Sequence, residues 1–276
     1  MVGVNLMVET KQIVEYGEKL LSFFDDLLKV ADARHLKDEQ NWKKIFLYFS
    51  LNEARSSFKI FVTILKQSND DILFMTPLSV IARNIYEIFL TLYWVAMENI
   101  ENIYFAHSAR EDKNLYNIHE EINKSKNQPI VDGKIKKALD DNLKYFEAMI
   151  KKAEKVGKRI ISARGNDLLK PSEIATHLEE GSKDPFFKTM KIGHKSYYKL
   201  LCLTSHFRPS TATANIPHIS DSKILETTKN MFVQTTFRTI LMITEKGAKK
   251  VSYLKKDKNK QKELESEYEE LFKNYF

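Results

Sequence analysis

Apolar residues recur at steps of three and four along most of this chain, and the longest nearly continuous apolar run covers residues 77–97. Such spacing puts apolar side chains on one face of a helix. Arg83 and Glu87 interrupt the run, and four residues of separation place them on the same helical face, close enough to pair. A charged pair in an apolar helix is costly unless it finds polar partners. We therefore expect a buried core helix, with other segments supplying those partners.

The same periodicity predicts helices along the remainder of the chain, at residues 10–33, 38–67, 98–124, 134–162, 195–207, 223–248 and 263–276, with a shorter one ending near Gly181. Turn-forming residues are scarce, with 8 Gly and 6 Pro among 276 residues. Long helices with few breaks indicate an all-α fold. A short loop separates residues 98–124 from the strongly basic residues 134–162, which predicts an antiparallel helical hairpin. The predicted architecture is a multi-helix bundle with a long basic hairpin.

This pattern predicts a single α-helical domain over residues 1–250, with the hairpin arm at about 98–162. A basic extension with a terminal helix is expected over residues 251–276. The hydrophobic share of 43% is sufficient for one substantial core.

Positive charge is in mild excess, with a formal net charge of +7. Residues 246–262 contain eight lysines and one acidic residue, Asp257. One interpretation is a nucleic-acid-binding segment, and the other is an ordinary solvated basic surface. The lysines proposed for nucleic-acid binding are Lys249, Lys250, Lys255, Lys256 and Lys258.

Several common kinds of chemistry have no motif in this sequence. It contains no glycine-rich phosphate loop, no HExxH sequence and no pair of histidines four apart on a helical face. The one cysteine, Cys202, lies between leucines and is typical of a small core residue. We therefore expect no metal and no cofactor. The polar centre of residues 77–97 and the lack of a leader-like N-terminus favour a cytoplasmic protein without a membrane span.

Residues 197–209, YYKLLCLTSHFRP, are the best source of polar partners for the charged pair. His206 is a candidate general acid or base, or an anion ligand, and Arg208 is a candidate anion clamp. The alternative is a polar helix end at which His206 caps carbonyl groups. Ser205 and His206 point about 100° apart on a helix, so their adjacency does not make a nucleophile–base pair. The candidate catalytic residues are His206, Arg83 and Glu87, and the candidate ligand-binding residues are Ser205, Arg208, Tyr198 and Arg238.

Two stretches of the chain together resemble the DUF5677 family of uncharacterised helical proteins from bacteria and phages. The first is IARNIYEIFLTLYWV, with Arg83 and Glu87 four apart, and the second is PSEIATHLEEG followed by YYKLLCLTSHFRPS. The resemblance covers roughly residues 38–250. It implies an all-α bundle in which the Arg–Glu helix and the Ser–His element meet, and it implies no particular reaction. The association of such proteins with mobile elements suggests an antiphage defence role.

Two functional hypotheses follow. The first is a helical defence-type or accessory protein whose polar pocket binds RNA or another phosphate-bearing ligand. If this protein is an enzyme, we expect a metal-independent ribonuclease or another phosphate-directed activity. The alternative is a non-enzymatic interaction or scaffold protein, in which the Arg83–Glu87 pair is structural and the amphipathic helices bind a protein partner or a second copy.

Overall fold

The computed structural model describes residues 10–35, 42–67, 75–126, 133–158, 160, 168–181, 187–188, 194–195, 197–198, 201, 222–250 and 255–273. Within these ranges, nine helices have defined bounds and no β-strand runs through two or more residues. They are α1 (Thr10–His35), α2 (Trp42–Gln67), α3 (Met75–Glu98), α4 (Glu101–Ala106), α5 (Ser108–Ser125), α6 (Gly133–Lys155), α7 (Pro171–Gly181), α8 (Ser222–Lys250) and α9 (Lys255–Phe272). The predicted all-α class is confirmed.

Helix α3 contributes a large part of the core. It packs against α2, α7 and α8, and its apolar residues at steps of three and four are almost completely buried. Examples are Leu78, Ala82, Ile85, Phe89 and Leu92. Burying one such large side chain contributes roughly 1.5–3 kcal/mol, so this face fixes the position of the helix. The expected core helix is therefore present, and the charged pair is carried on it.

By length and composition alone, the segment from Thr76 to Glu98 would also be able to cross a membrane. The core helices of soluble proteins meet the same criterion.

The sequence predicted one continuous helix over residues 98–124, but the helix is interrupted between α3 and α5. Asn99 has a φ of 56°, in the left-handed region that asparagine adopts more readily than most residues. The short helix α4 follows, and α5 starts only at Ser108. The apolar spacing continues through Ile100 and Ile103, which are both buried, so periodicity alone does not reveal this break.

Helix α6 ends at Lys155, seven residues before the predicted end at residue 162. Gly157 has a φ of 80°, which glycine adopts without the strain of a side chain. The N–H of Lys158 donates to the carbonyl of Ala153 at 3.1 Å, and the N–H of Gly157 donates to that of Glu154 at 2.9 Å. These two hydrogen bonds form a Schellman motif, which terminates the helix.

Helices α5 and α6 form the predicted antiparallel hairpin. Lys113 pairs with Asp140 at 2.6 Å and Lys136 with Glu120 at 3.4 Å, so residues later in α5 meet residues earlier in α6. The second half of α6 joins the core through buried side chains, Phe146, Ile150 and Ala153.

The terminal helix α9 starts at Lys255, eight residues before the predicted start at Glu263. It packs against α1 and α8. The buried hydroxyl of Tyr16 on α1 donates to the carbonyl of Leu264 at 2.9 Å. Leu264, Tyr268 and Phe272 are buried, so the apolar face of α9 contributes to the same core as α1 and α8.

Candidate functional site

Arg83 and Glu87 form an ion pair along α3, as their spacing predicts. The Nε atom of Arg83 donates to Oε1 of Glu87 at 2.9 Å. The two side chains are 30% and 33% exposed, so the pair lies at the edge of the buried face of α3 and can be reached from solvent. A pair this exposed contributes little to stability by itself, because water screens it.

Tyr198 completes a three-residue arrangement around this ion pair. Its hydroxyl donates to the same carboxylate oxygen, Oε1 of Glu87, at 2.5 Å. Its ring lies beside the Arg83 guanidinium, with 5.4 Å between Cζ and the ring centroid. Because both donors use Oε1, the second oxygen, Oε2, accepts no hydrogen bond from a described residue. Glu87 therefore keeps an acceptor for another group.

His194 packs against Tyr198 and was not among the residues predicted from the sequence. Its ring stacks on that of Tyr198 at 4.6 Å and on that of Tyr86 at 5.8 Å. The side chain is buried, and Nδ1 has no hydrogen-bond partner among the described residues. Burial lowers the pKa of His194 to about 4, although the nearby Glu87 carboxylate favours the protonated form. The imidazole is therefore neutral at pH 7.

Aromatic contacts fix the segment that carries His194 and Tyr198. Tyr197 is buried, makes an edge-to-face contact with Tyr86 at 5.4 Å, and shares a hydrogen bond of 3.4 Å with Thr236 on α8. Burial raises the pKa of Tyr86 and of Tyr197, so both stay protonated at neutral pH. Tyr197 thus fastens the segment to α8 while Tyr198 contacts α3. We call Arg83, Glu87, His194 and Tyr198 the Arg83 cluster.

The structure brings three of the predicted site residues together, namely Arg83, Glu87 and Tyr198. The other pocket candidates, Ser205, His206 and Arg208, lie outside the described residues. A local signal could have revealed His194, because it precedes Tyr198 by four residues and would share its helical face. Its contact with Tyr86 depends on tertiary packing, which one-dimensional spacing does not report.

Arg238 was expected to join the same group, and its observed contacts are with α9. Its Nη1 lies 3.8 Å from Oε1 of Glu269, and its guanidinium carbon lies 5.8 Å from the centroid of the Tyr268 ring. Arg238 is therefore at the junction of α8 and α9.

The lysines proposed for nucleic-acid binding fall at the end of α8 and the start of α9. Lys249 and Lys250 belong to α8, and Lys255, Lys256 and Lys258 belong to α9. The Lys258 side chain is exposed, and the side chains of the other four lie outside the described part.

The chemistry of the Arg83 cluster suits recognition of an anion that also carries a hydrogen-bond donor. A guanidinium pairs well with phosphate or carboxylate, and a carboxylate oxygen accepts from hydroxyl or amino groups. The Tyr198 ring, which is only partly buried, offers an aromatic surface beside these two groups. In the described part of the chain, no three His, Cys, Asp or Glu residues are grouped so that they could hold a metal ion.

Fold and site together define a helical-bundle protein with a polar cluster at the edge of its core helix. A family model matches residues 45–223, about two-thirds of the chain, and its description is a family of unknown function, DUF5677. The chain belongs to this family. The matched region includes all four residues of the Arg83 cluster. Comparison with the curated proteins and comparison with the solved structures each gave no match.

Proposed function

We propose that the Arg83 cluster binds a phosphate-bearing ligand of the nucleotide or RNA class. The observation that carries this proposal is an open acceptor on Glu87: its side chain is 33% exposed, and Oε2 of the carboxylate that pairs with Arg83 accepts no hydrogen bond from a described residue. A carboxylate oxygen that solvent reaches can accept a hydrogen bond from a bound ligand in place of water, beside a guanidinium that pairs with phosphate.

Each group in the cluster has a role in this proposal. Arg83 supplies the positive charge for a phosphate, and Oε2 of Glu87 accepts a hydrogen bond from a ribose hydroxyl or a base amino group. The Tyr198 ring contacts the sugar or base. Nucleotides carry this combination of anionic, hydroxyl and aromatic groups.

Binding is better supported than catalysis by the described residues. A general base works best when its pKa lies near the operating pH, and the pKa of His194 is about 4. His194 therefore takes up a proton poorly at neutral pH, and we assign it to positioning the Tyr198 ring. The candidate acid or base for RNA cleavage is His206, and His206→Ala tests that reaction. Lost cleavage with an unchanged Tm would add catalysis to the proposal.

The test of ligand binding compares two similar ion pairs in the same protein. Arg83→Gln removes the proposed phosphate ligand, and Arg55→Gln is the matched control. Arg55 pairs with Asp25 at 2.6 Å, and these side chains are 27% and 36% exposed, close to the values for Arg83 and Glu87. Binding of UMP, AMP and short oligouridylates is measured by calorimetry.

We expect Arg83→Gln to weaken binding by roughly 10-fold to 100-fold, the range for a charge-assisted hydrogen bond, and Arg55→Gln to leave it unchanged. Glu87→Gln keeps the side-chain shape, and it should weaken binding of ligands that donate to Oε2. Equal binding by the wild type and Arg83→Gln would refute the proposal, as would an absence of binding by the wild type.

A second candidate function, as an interaction protein, is favoured by an exposed apolar stripe on α5. Leu115, Ile118 and Ile122 are all exposed, and their spacing puts them on one helical face, opposite the buried Tyr116. A second copy of the chain is the proposed occupant. Light scattering after size-exclusion chromatography tests it: Ile118→Asp should convert a dimer to a monomer, whereas Ile60→Asp, at an equally exposed site on α2, should not. A monomeric wild type would refute this second proposal.

A further inference from the structure

The outer face of α6 carries a concentrated set of lysines. At 100° per residue, six lysines fall within an arc of about 100° around the helix axis, and that arc contains one acidic residue, Asp141. All six side chains are exposed: Lys134, Lys137, Lys144, Lys151, Lys152 and Lys155. We call these six residues the α6 lysine face.

Packing holds this face in a fixed orientation. The opposite side of α6 packs into the core through Phe146, Ile150 and Ala153. The Schellman motif at Gly157 fixes the end of the helix. Lys137, Lys144 and Lys151 are seven residues apart, so they follow one line along the helix at intervals of about 10.5 Å. From first to last lysine the face is about 32 Å long. The charges therefore form an ordered row.

Most of these charges are not neutralised within the described part of the chain. The ion pairs that hold the hairpin use Lys136 and Asp140, which lie outside the lysine face. Lys137, Lys151, Lys152 and Lys155 have no carboxylate within ion-pair distance among the described residues, and Lys144 interacts electrostatically with Asp140. Their positive potential is thus available to an anionic partner.

Tyr145 lies at the edge of the lysine face. Its side chain is 66% exposed, and its angular position is next to that of Lys134 and Lys152. Exposed aromatic rings beside a positively charged surface provide stacking platforms for unpaired bases. A base pair inside a duplex offers no such free ring face along its length. The tyrosine therefore favours a single strand.

We propose that the α6 lysine face binds the phosphate backbone of single-stranded nucleic acid, with Tyr145 stacking on a base. Protein interfaces are depleted in lysine, which disfavours an acidic protein as the partner. A helix that inserts into a membrane surface needs a free apolar face, whereas the apolar face of α6 is buried in its second half at Phe146, Ile150 and Ala153. This surface is separate from the Arg83 cluster, and its function does not depend on the ligand proposed there.

The experiment measures binding of fluorescent oligouridylate and oligothymidylate of about 20 nucleotides by anisotropy, at about 50 mM and about 200 mM salt. The test variant is K137Q/K144Q/K151Q in the full chain. The matched control is K11Q/K29Q/K59Q, which removes the same charge from exposed positions on α1 and α2. Both variants are first compared with the wild type by circular dichroism and thermal melting.

We expect the α6 variant to bind about 100-fold more weakly at about 0.1 M salt. The slope of log K against log salt concentration should fall in magnitude by about 2, because each of the three lost phosphate contacts on a single strand contributes about 0.7. The control should change neither value. Tyr145→Ala should weaken binding by roughly 10-fold without changing the slope, because stacking involves no counterion release.

Three results would overturn the proposal. They are an absence of single-strand binding by the wild type, an equal loss in the α6 variant and the control, and binding to anionic phosphatidylserine vesicles in place of the oligonucleotides. A fourth result would also overturn the assignment to α6. It is a loss that appears only on removing Lys249, Lys250, Lys255, Lys256 and Lys258, which would move nucleic-acid binding to the junction of α8 and α9.

Discussion

Acid should destabilise this protein through His194, and His194→Phe should remove that part of the pH dependence. Burial holds the pKa of His194 at about 4 in the folded state, against 6.5 for the free side chain. Between these values the unfolded chain binds the proton and the folded protein does not. The free energy of unfolding therefore falls as the pH falls. The contribution is complete above pH 6.5 and is lost as the pH falls from 6.5 to about 4.

The size of the effect follows from the difference between the two pKa values. A difference of about 2.5 pH units, at about 1.4 kcal/mol per unit, amounts to about 3 kcal/mol over the whole window. About 2 kcal/mol of this is lost by pH 5. The charged group facing His194 among the described residues is the carboxylate of Glu87, since Tyr86 and Tyr198 contribute neutral rings. The protonated imidazole gains too little from this carboxylate to offset its burial.

The assay is urea unfolding of the wild type and His194→Phe at pH 7.5 and pH 5. Other groups titrate in both proteins, so their effects cancel when the two changes in unfolding free energy are subtracted. At pH 7.5 the variant should be at least as stable as the wild type, because it removes the unpaired Nδ1 atom. His119→Phe, at an exposed site on α5, is the control and should keep the wild-type pH dependence. The reasoning would be refuted if the free energy of unfolding changed equally between pH 7.5 and pH 5 in the wild type and in His194→Phe.

Three further predictions concern the core and are checked by urea unfolding followed by circular dichroism. Phe237→Ala should cost about 3–5 kcal/mol, because it empties a fully buried ring site, and a loss below about 1 kcal/mol would contradict this. Gly17→Ala should lower the free energy of unfolding by about 1 kcal/mol, because the added Cβ would lie 3.0 Å from a side-chain carbon of buried Val62. This steric overlap outweighs the gain in helix propensity. A variant more stable than the wild type would contradict the prediction. Tyr16→Phe should lower the free energy of unfolding by about 1 kcal/mol, because it removes the hydrogen bond to the carbonyl of Leu264. An unchanged midpoint of urea unfolding would contradict this prediction.

Helices were predictable from the sequence where apolar spacing coincides with burial. The residues of α3 that recur at steps of three and four are those the fold buries, and Pro171 and Gly181 mark the ends of α7. Helix ends that depend on one backbone conformation were not predictable in this way. At Asn99 the apolar spacing continues while the chain turns. Helix α6 is terminated by the backbone conformation of Gly157 and by the hydrogen bonds that Gly157 and Lys158 donate.

The candidate site was predictable in part for a similar reason. The Arg83–Glu87 pair is a local feature of one helix, so spacing was enough to find it. The contact with Tyr198 joins residues 111 positions apart, and its prediction rested on residue types and on the family resemblance. His194 was missed because its local signal, the four-residue spacing to Tyr198, does not by itself report burial. Its role depends on burial against Tyr86, which is a tertiary property.

A comparison of two ion pairs in this protein supports a binding role for the Arg83 cluster over a purely structural one. Asp25 uses both carboxylate oxygens to pair with Arg55, accepting from Nε at 2.6 Å and from Nη2 at 3.1 Å. That bidentate geometry uses both carboxylate oxygens and is the stronger arrangement for stability. Glu87, at similar exposure, receives both of its donors on one oxygen and leaves the other open to solvent. A pair that served stability alone would gain from the bidentate arrangement, whereas a site that accepts a ligand keeps one carboxylate oxygen open to solvent.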